Sequence, residues 1–263
     1  MGQKTQIEWT NATWNPVTGC TKVSPGCDHC YAERITERFG RGPFSRIRLH
    51  SERLREPLRW RHPQMVFTCS MSDLFHSQVP WSFIIDVFSI MEATPQHIYQ
   101  ILTKRPGRMA YFANHVLPLL GYQWPANVWA GTSVESQKYA PRLDVLARVP
   151  AKVRFVSAEP LLESTDLSPW LQNGVLHWVI VGGESGPRAR PIRIEWVSSL
   201  KVQCQKATVP LFVKQLGTAW AVTSGLKDYK GSDLSSWPPS MRVREFPRLV
   251  NPGGLSKEME VIL

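Results

Sequence analysis

No apolar run in this sequence approaches the roughly 20 residues that a membrane-crossing helix needs. Nor does the start, MGQKTQIEWTN, carry the hydrophobic segment of a secretory signal, so a cytoplasmic protein without a membrane partner is expected. Acidic residues are scarce, 21 against 31 lysines and arginines, which leaves a net charge of +10. Cysteine is scarce too, with five in 263 residues, and a disulfide framework would want an even set spread over the fold. Low-complexity tracts and internal repeats are absent, which excludes solenoids and linkers.

The few cysteines are unevenly placed. Cys20, Cys27 and Cys30 crowd into one loop, whereas Cys69 stands alone in an apolar strand run and Cys204 in a helical stretch. Cys27 and Cys30 form a C-x2-C pair behind the turn formers Pro25-Gly26, and Tyr31, Ile35 and Phe39 then recur at helical spacing until Gly40. Three clustered thiolates suit a [4Fe-4S] cube that keeps one iron without a protein ligand. The competing reading is a Cys3His zinc site completed by His29, His76 or His50.

Elsewhere a short apolar run ending in polar residues recurs before each helical stretch. The runs are Ile7–Trp9, Met65–Cys69, Ile98–Leu102, Val128–Thr132, Val153–Ser157, Trp178–Val181 and Leu211–Val213. Helices are expected between them, at Phe83–Glu92, Arg142–Val149 and Glu195–Lys206. This alternation predicts an α/β fold, a full or partial (β/α) barrel spanning residues 1–217. Residues 218–263 are rich in Pro and Gly and read as an irregular C-terminal extension packed on the barrel, with one short strand at Met241–Phe246. Loops after the strands' carboxyl ends converge on one face of such a barrel, where active sites are built.

The chain resembles the phage Gp37/Gp68 family (DUF5131-like) of radical-SAM-like proteins. The resemblance rests on IEWTNATWNPVTGCTKVSPGCDHCYAE, SMSDLF, LTKRP, VWAGTSVE, RFVSAEPLL, VIVGGESG, FVKQLG and WPPSMRVREFP, in order over nearly the whole chain. The spacing Cys20-x6-Cys27-x2-Cys30 departs from the usual C-x3-C-x2-C of radical S-adenosylmethionine (SAM) enzymes. The resemblance implies a radical SAM enzyme with a [4Fe-4S] cluster, SAM, an external one-electron reductant and hydrogen abstraction from a substrate. It also implies that His29 lies near the adenine, that Ser70, Ser72 or Asp73 meets the SAM amino group, and that Ser133, Glu135 and Glu159 reach its ribose and carboxylate. Gly182-Gly183-Glu184 stands at the sixth run, where a tight turn explains it equally well. Lys104, Arg105, Lys214 and Gln215 would contact phosphate or the SAM carboxylate, or else pair with Glu135, Glu159 or Glu184. Cys69 becomes a hydrogen-atom donor if it faces the pocket.

For the substrate, composition points to nucleic acid. Between Arg34 and Arg61 stand nine arginines against Glu37, Glu52 and Glu56, a stretch that favours a polyanion unless it is only a solvated face. Trp14, Trp60, Trp124 and Trp237 sit in loop-like contexts suited to base stacking, whereas Trp129 and Trp178 belong to strand runs. DNA or RNA is therefore the expected partner, through DNA repair of the spore photoproduct lyase type or base modification. A small phosphorylated molecule or a peptide is the alternative substrate, and a non-catalytic zinc-stabilised nucleic-acid-binding protein the alternative function.

Overall fold

The computed structural model describes residues 3–248. In chain order the elements are β1 (Gln3–Lys4), β2 (Ala12–Trp14), β3 (Val17–Thr18), α1 (Tyr31–Arg38), β4 (Arg48–Leu49), β5 (Met65–Thr68) and α2 (Trp81–Glu92). There follow β6 (Ile98–Thr103), α3 (Pro106–Tyr111), a π turn leading into α4 (Leu117–Leu119), β7 (Val128–Ser133) and α5 (Arg142–Leu146). The last are β8 (Arg154–Ala158), α6 (Ser168–Gln172), β9 (Trp178–Gly182), α7 (Ile194–Ala207), β10 (Leu211–Gln215) and α8 (Thr218–Thr223).

The main sheet runs β1-β2-β5-β6-β7-β8-β9-β10. All pairs from β2 to β10 are parallel, and β1 alone runs antiparallel on β2. Each parallel pair needs a crossover, and the intervening helices supply it on the outer face. The seven parallel strands curl into a half-barrel, so the partial form of the expected barrel is the one adopted.

Strand alternation divides the core in two. Val66, Ile101, Val156, Val179 and Val213 face the helix layer, where they meet Ile84, Val87, Leu143 and Leu200. Met65, Phe67, Trp129, Phe155, Trp178, Ile180 and Phe212 face inward and plug the barrel's amino-terminal end. Trp178 is the hub of that plug, with edge-on contacts to Trp9, Trp129 and Phe212 at 6.3, 5.9 and 6.1 Å.

The expected first strand is a correction. Ile7–Trp9 forms a loop whose apolar side chains seal the plug from below, and the first parallel strand is Ala12–Trp14 instead. Met241–Phe246 is also not a ladder strand. It meets the β10 edge through one bridge, Phe212 with Arg244, flanked by bonds from the Val213 N–H to the Val243 carbonyl and from the Glu245 N–H to the Leu211 carbonyl. Trp237 and Met241 carry residues 218–248 into the main core, and the remainder of the expected extension lies outside the described residues.

Trp178→Ala should cost about 3–5 kcal/mol in urea unfolding, as for a large buried aromatic. Leu119→Ala, at a position 85% exposed, should stay within about 0.5 kcal/mol.

Candidate active site

The cysteine loop lies over the carboxyl ends of the strands, held there by its neighbours' backbones. The Gly19 N–H donates to the Met71 carbonyl at 3.1 Å, and the Cys20 N–H donates to the Phe44 carbonyl at 2.8 Å. Gly19 has φ +90°, and a Cβ there would sit 2.2 Å from the Arg46 carbonyl oxygen, so only glycine fits. Cys27 ends a single 3-10 turn and Cys30 caps α1. All three thiols are half-buried and unpaired.

Three strand ends grip this loop. At β5, Asp73 is buried and takes four donors: the Thr103 hydroxyl (2.7 Å), the Phe75 and Lys104 N–H groups (3.0 and 3.2 Å) and Arg105 Nη1 (2.8 Å). Arg105, so aimed, lies 3.6 Å from Cys20 Sγ and donates to the Thr21 carbonyl at 3.0 Å. His76 Nδ1 accepts from the Gln78 N–H, which leaves Nε2 to donate to the Thr21 hydroxyl at 2.8 Å. Burial, with Asp73 nearby, pushes the Cys20 thiol up to about 11, and Arg105 opposes that shift.

At β7, Glu135 is fully buried, bonded to Arg142 at 2.9 Å, and Arg142 also holds the Ser133 carbonyl. Gly26 lies directly on it, since a Cβ there would stand 3.1 Å from the Glu135 carboxyl carbon. At β9, Glu184 accepts from His29 Nδ1 at 2.9 Å and from Arg190 at 2.5 Å through Nη2. Arg190 reaches onward to the Pro25 carbonyl at 2.8 Å, and Arg34 of α1 donates to the Ser185 carbonyl at 2.8 Å. Burial would raise the Glu184 pKa, but bonds from Arg190 and His29 outweigh it and hold the carboxyl below the usual range.

Inside the mouth a fourth pair faces the loop. Lys214 Nζ and Glu159 Oε1 lie 3.1 Å apart, and the Ser157 hydroxyl donates to Glu159 Oε2 at 3.0 Å. Gly182 makes room for this carboxylate, because its Cβ would lie 2.8 Å from Glu159 Oε1. The Tyr31 hydroxyl donates to the Ser70 carbonyl above them. Gly-Gly-Glu is thus more than a turn: a glycine clears space for one acid, and the glutamate anchors the cysteine loop.

The expected residues divide by task. Ser70 Oγ donates to Asn15 Oδ1, Ser72 Oγ to the Val17 carbonyl, and Asp73 has its acceptor positions filled, so all three are committed to protein partners. Ser133 is buried within its strand end, while Lys104 contributes its backbone to Asp73. Cys69 has no view of the pocket: it is buried in the outer core at φ +63°, and burial pushes its thiol up to about 12. Gln215 is buried and donates to the Gly183 carbonyl. Trp14, Trp60, Trp124 and Trp237 are all buried, which removes them as stacking surfaces. Sequence reasoning missed Asn15 and Arg190, whose partners lie far away along the chain and leave no periodic signal.

The histidines near the loop are engaged with protein partners. His50 is bonded at both nitrogens, to Thr18 and Glu52, and His76 to Thr21 and Gln78, while His29 turns Nδ1 to Glu184. Among the described residues no three His, Cys, Asp or Glu side chains, the three thiols of the loop included, stand close enough together to hold a metal ion. The three thiols share one pinned loop, and the cationic Arg105 stands beside Cys20.

The fold is thus a parallel half-barrel with the cysteine loop over its mouth. Solved structures of spore photoproduct lyase share it: the complex with dinucleoside spore photoproduct superposes with TM-score 0.50 at 14% identity, covering 81% of this chain and 78% of that one. A cysteine-to-serine variant gives 0.52 at 12% identity over the same shares. At such identities the likeness is one of fold. The chain belongs to the family described as "Protein of unknown function (DUF5131)", whose profile matches residues 4–242. No curated protein matches it in sequence.

Because the Glu184 pKa is depressed by folding, its contribution is present above the unfolded carboxyl pKa of about 4.3 and is lost as pH falls through the folded value. Glu184→Gln should therefore cost about 1–3 kcal/mol at pH 7. In urea titrations the gap between variant and wild type should close below about pH 4.

Proposed function

We propose that this protein is a radical SAM enzyme acting on nucleic acid, in lesion repair or base modification. The observation that carries the reading is the cysteine loop itself. Three half-buried thiols ride one loop that three strand ends clamp over the carboxyl mouth of a parallel half-barrel. Cys20, Cys27 and Cys30 would hold a [4Fe-4S] cluster, which would pass one electron from an external reductant to SAM and so supply methionine and a hydrogen-abstracting 5′-deoxyadenosyl radical.

The chain's own groups would do the rest. Lys214 and Glu159, paired with each other but partly exposed in the mouth, would be the side chains that meet SAM or substrate. Asp73, Glu135 and Glu184 act as positioning residues through Arg105, Gly26 and His29. The aromatic plug below closes the barrel to water from the opposite end.

The basic stretch supports the choice of substrate, although it divides into two parts. The Arg46 backbone packs against Gly19, Arg48 pairs with Thr18, and Arg34 binds the β9 loop, so this part borders the mouth. Arg59 and Arg61 flank Trp60, whose ring meets His97 edge-on at 5.5 Å just before β6, at the opposite end. A solved neighbour, spore photoproduct lyase in complex with dinucleoside spore photoproduct, is consistent with a nucleic acid, and it bears on this chain only by likeness of fold.

Anaerobic reconstitution should load about four irons and four sulfides per chain. Cys20→Ala, Cys27→Ala or Cys30→Ala should each abolish the cluster, while Cys204→Ala keeps it. Strong reductant with SAM should release 5′-deoxyadenosine. A triple cysteine variant that retains a full cluster would overturn the assignment.

Binding to DNA or RNA should weaken steeply with salt. Arg46→Glu with Arg48→Glu should flatten the slope of log affinity against log salt by about 0.7–0.9 for each phosphate no longer bound. Arg59→Glu with Arg61→Glu should change it little. Equal effects from the two pairs would mean that nucleic acid is not led to the mouth.

A further inference from the structure

Helix α1 wears its apolar stripe on the outside. Tyr31, Ile35 and Phe39 recur every four residues and are 40%, 37% and 62% exposed, whereas Ala32 is the helix's one buried residue. An amphipathic helix normally turns such a stripe to the core. This one docks by polar contacts instead: Arg34 to the Ser185 carbonyl at 2.8 Å and Glu33 to Lys22 at 2.9 Å.

The stripe has a direction. Tyr31 begins it at the mouth, bonded to Ser70, one residue after Cys30. Phe39 ends it at the rim, with Arg41 and Arg38 over its ring at 5.3 and 6.0 Å. At about 100° per residue, Glu33 and Glu37 lie roughly 160° round from Ile35, so both carboxylates of the helix face away. Arg38 and Arg41 are exposed, and neither has a carboxylate partner among the described residues. Arg46, on the neighbouring strand of chain, is exposed likewise.

We infer that this stripe is a stacking track for unpaired bases, with Arg38, Arg41 and Arg46 taking the phosphates, so that the substrate arrives as single-stranded nucleic acid. The inference rests on the nucleic-acid reading above and narrows it. Apolar faces flanked by arginine, with acids turned away, match a strand whose bases are splayed and whose backbone is anionic. A paired duplex hides its base faces and offers nothing for Phe39 or Ile35 to cover. A protein partner would match the apolar stripe but has no need of the flanking cations.

The test is fluorescence anisotropy of a labelled oligothymidine and of a matched duplex, across a salt series, with iron and sulfide assayed on each preparation. The single strand should bind the wild type at least tenfold more tightly than the duplex. Phe39→Ala should weaken the single strand about tenfold, as expected for one unstacked base, with the salt slope unchanged. Phe39→Trp should restore affinity. Arg38→Gln with Arg41→Gln should instead lower the slope by about 0.7 for each phosphate released. Equal affinity for single strand and duplex, or no effect of Phe39→Ala, overturns the track even in protein that holds a full cluster. Wild-type protein that loads no iron overturns the enzyme reading and leaves the binding result standing. Oligothymidine binding that ignores salt overturns the inference in favour of a protein-docking face.

Discussion

Residues 19–30 contain a single 3-10 turn, so their own backbone bonds cannot fix three thiols in place. Acid–base pairs at the strand ends do that work instead. Asp73 holds Arg105, Glu135 holds Arg142 and Glu184 holds Arg190, at 2.8, 2.9 and 2.5 Å. Taking such charges out of water costs several kcal/mol per ion, and attraction repays it only when the remaining lone pairs are satisfied. Asp73 meets that condition with four donors and Glu184 with bonds to His29 and both ends of Arg190. Glu135 does not: its Oε1 is buried without a partner, directly beneath Gly26. An unmet acceptor costs free energy that packing elsewhere must supply, and it sits where the cysteine loop presses closest.

The pairs also explain which parts of the molecule were legible in the sequence. Six of the seven apolar runs became strands whose side chains alternate between two buried faces, as Val66 and Phe67 or Val179 and Ile180 show. Ile7–Trp9 misled because hydrophobicity marks burial and not conformation: Trp9 is buried as a plug, with its carbonyl bonded by Gln100. Ala12–Trp14 carries a weak signal, since Thr13 interrupts a run of only three residues. The tryptophans in loop-like contexts misled for a related reason, because Pro and Gly neighbours do not prevent a large ring from being the segment's anchor. Trp237 is such an anchor, its indole bonded to the Gly231 carbonyl at 3.0 Å.

In the candidate site, the sharing of one loop by the three thiols was legible from spacing alone, because cysteine has few other reasons to cluster. Their supports were not. Arg190 joins Glu184 to Pro25 across a separation of 165 residues, and Asn15 joins the Ser70–Met71 turn across 55. Such bonds depend on which strand ends the sheet order makes neighbours, and that order is a property of the fold. Residues expected to touch a cofactor, Ser70, Ser72 and Asp73, proved to be bonded into the scaffold. A polar residue at a strand end is equally useful for holding a loop and for holding a ligand, and residue type alone does not distinguish the two.

An open half-barrel brings a cost that a closed one avoids, because its two edges expose unpaired backbone. Here β1 covers the β2 edge, and the Val243–Glu245 segment covers β10 through bonds to Val213 and Leu211. The aromatic plug then fills the interior from below, so the remaining access is through the upper rim. That rim is asymmetric. The cysteine loop and its three clamps take up the β5, β7 and β9 ends, while Lys214 and Glu159 stay partly exposed inside. Arg46 and the outer face of α1 border the same opening. The sheet leaves the mouth open, and the acid–base clamps place the thiols at it beside a cationic, apolar helix face. Sealing the edges separately from the mouth is what allows the loop to be held by charge without closing the barrel.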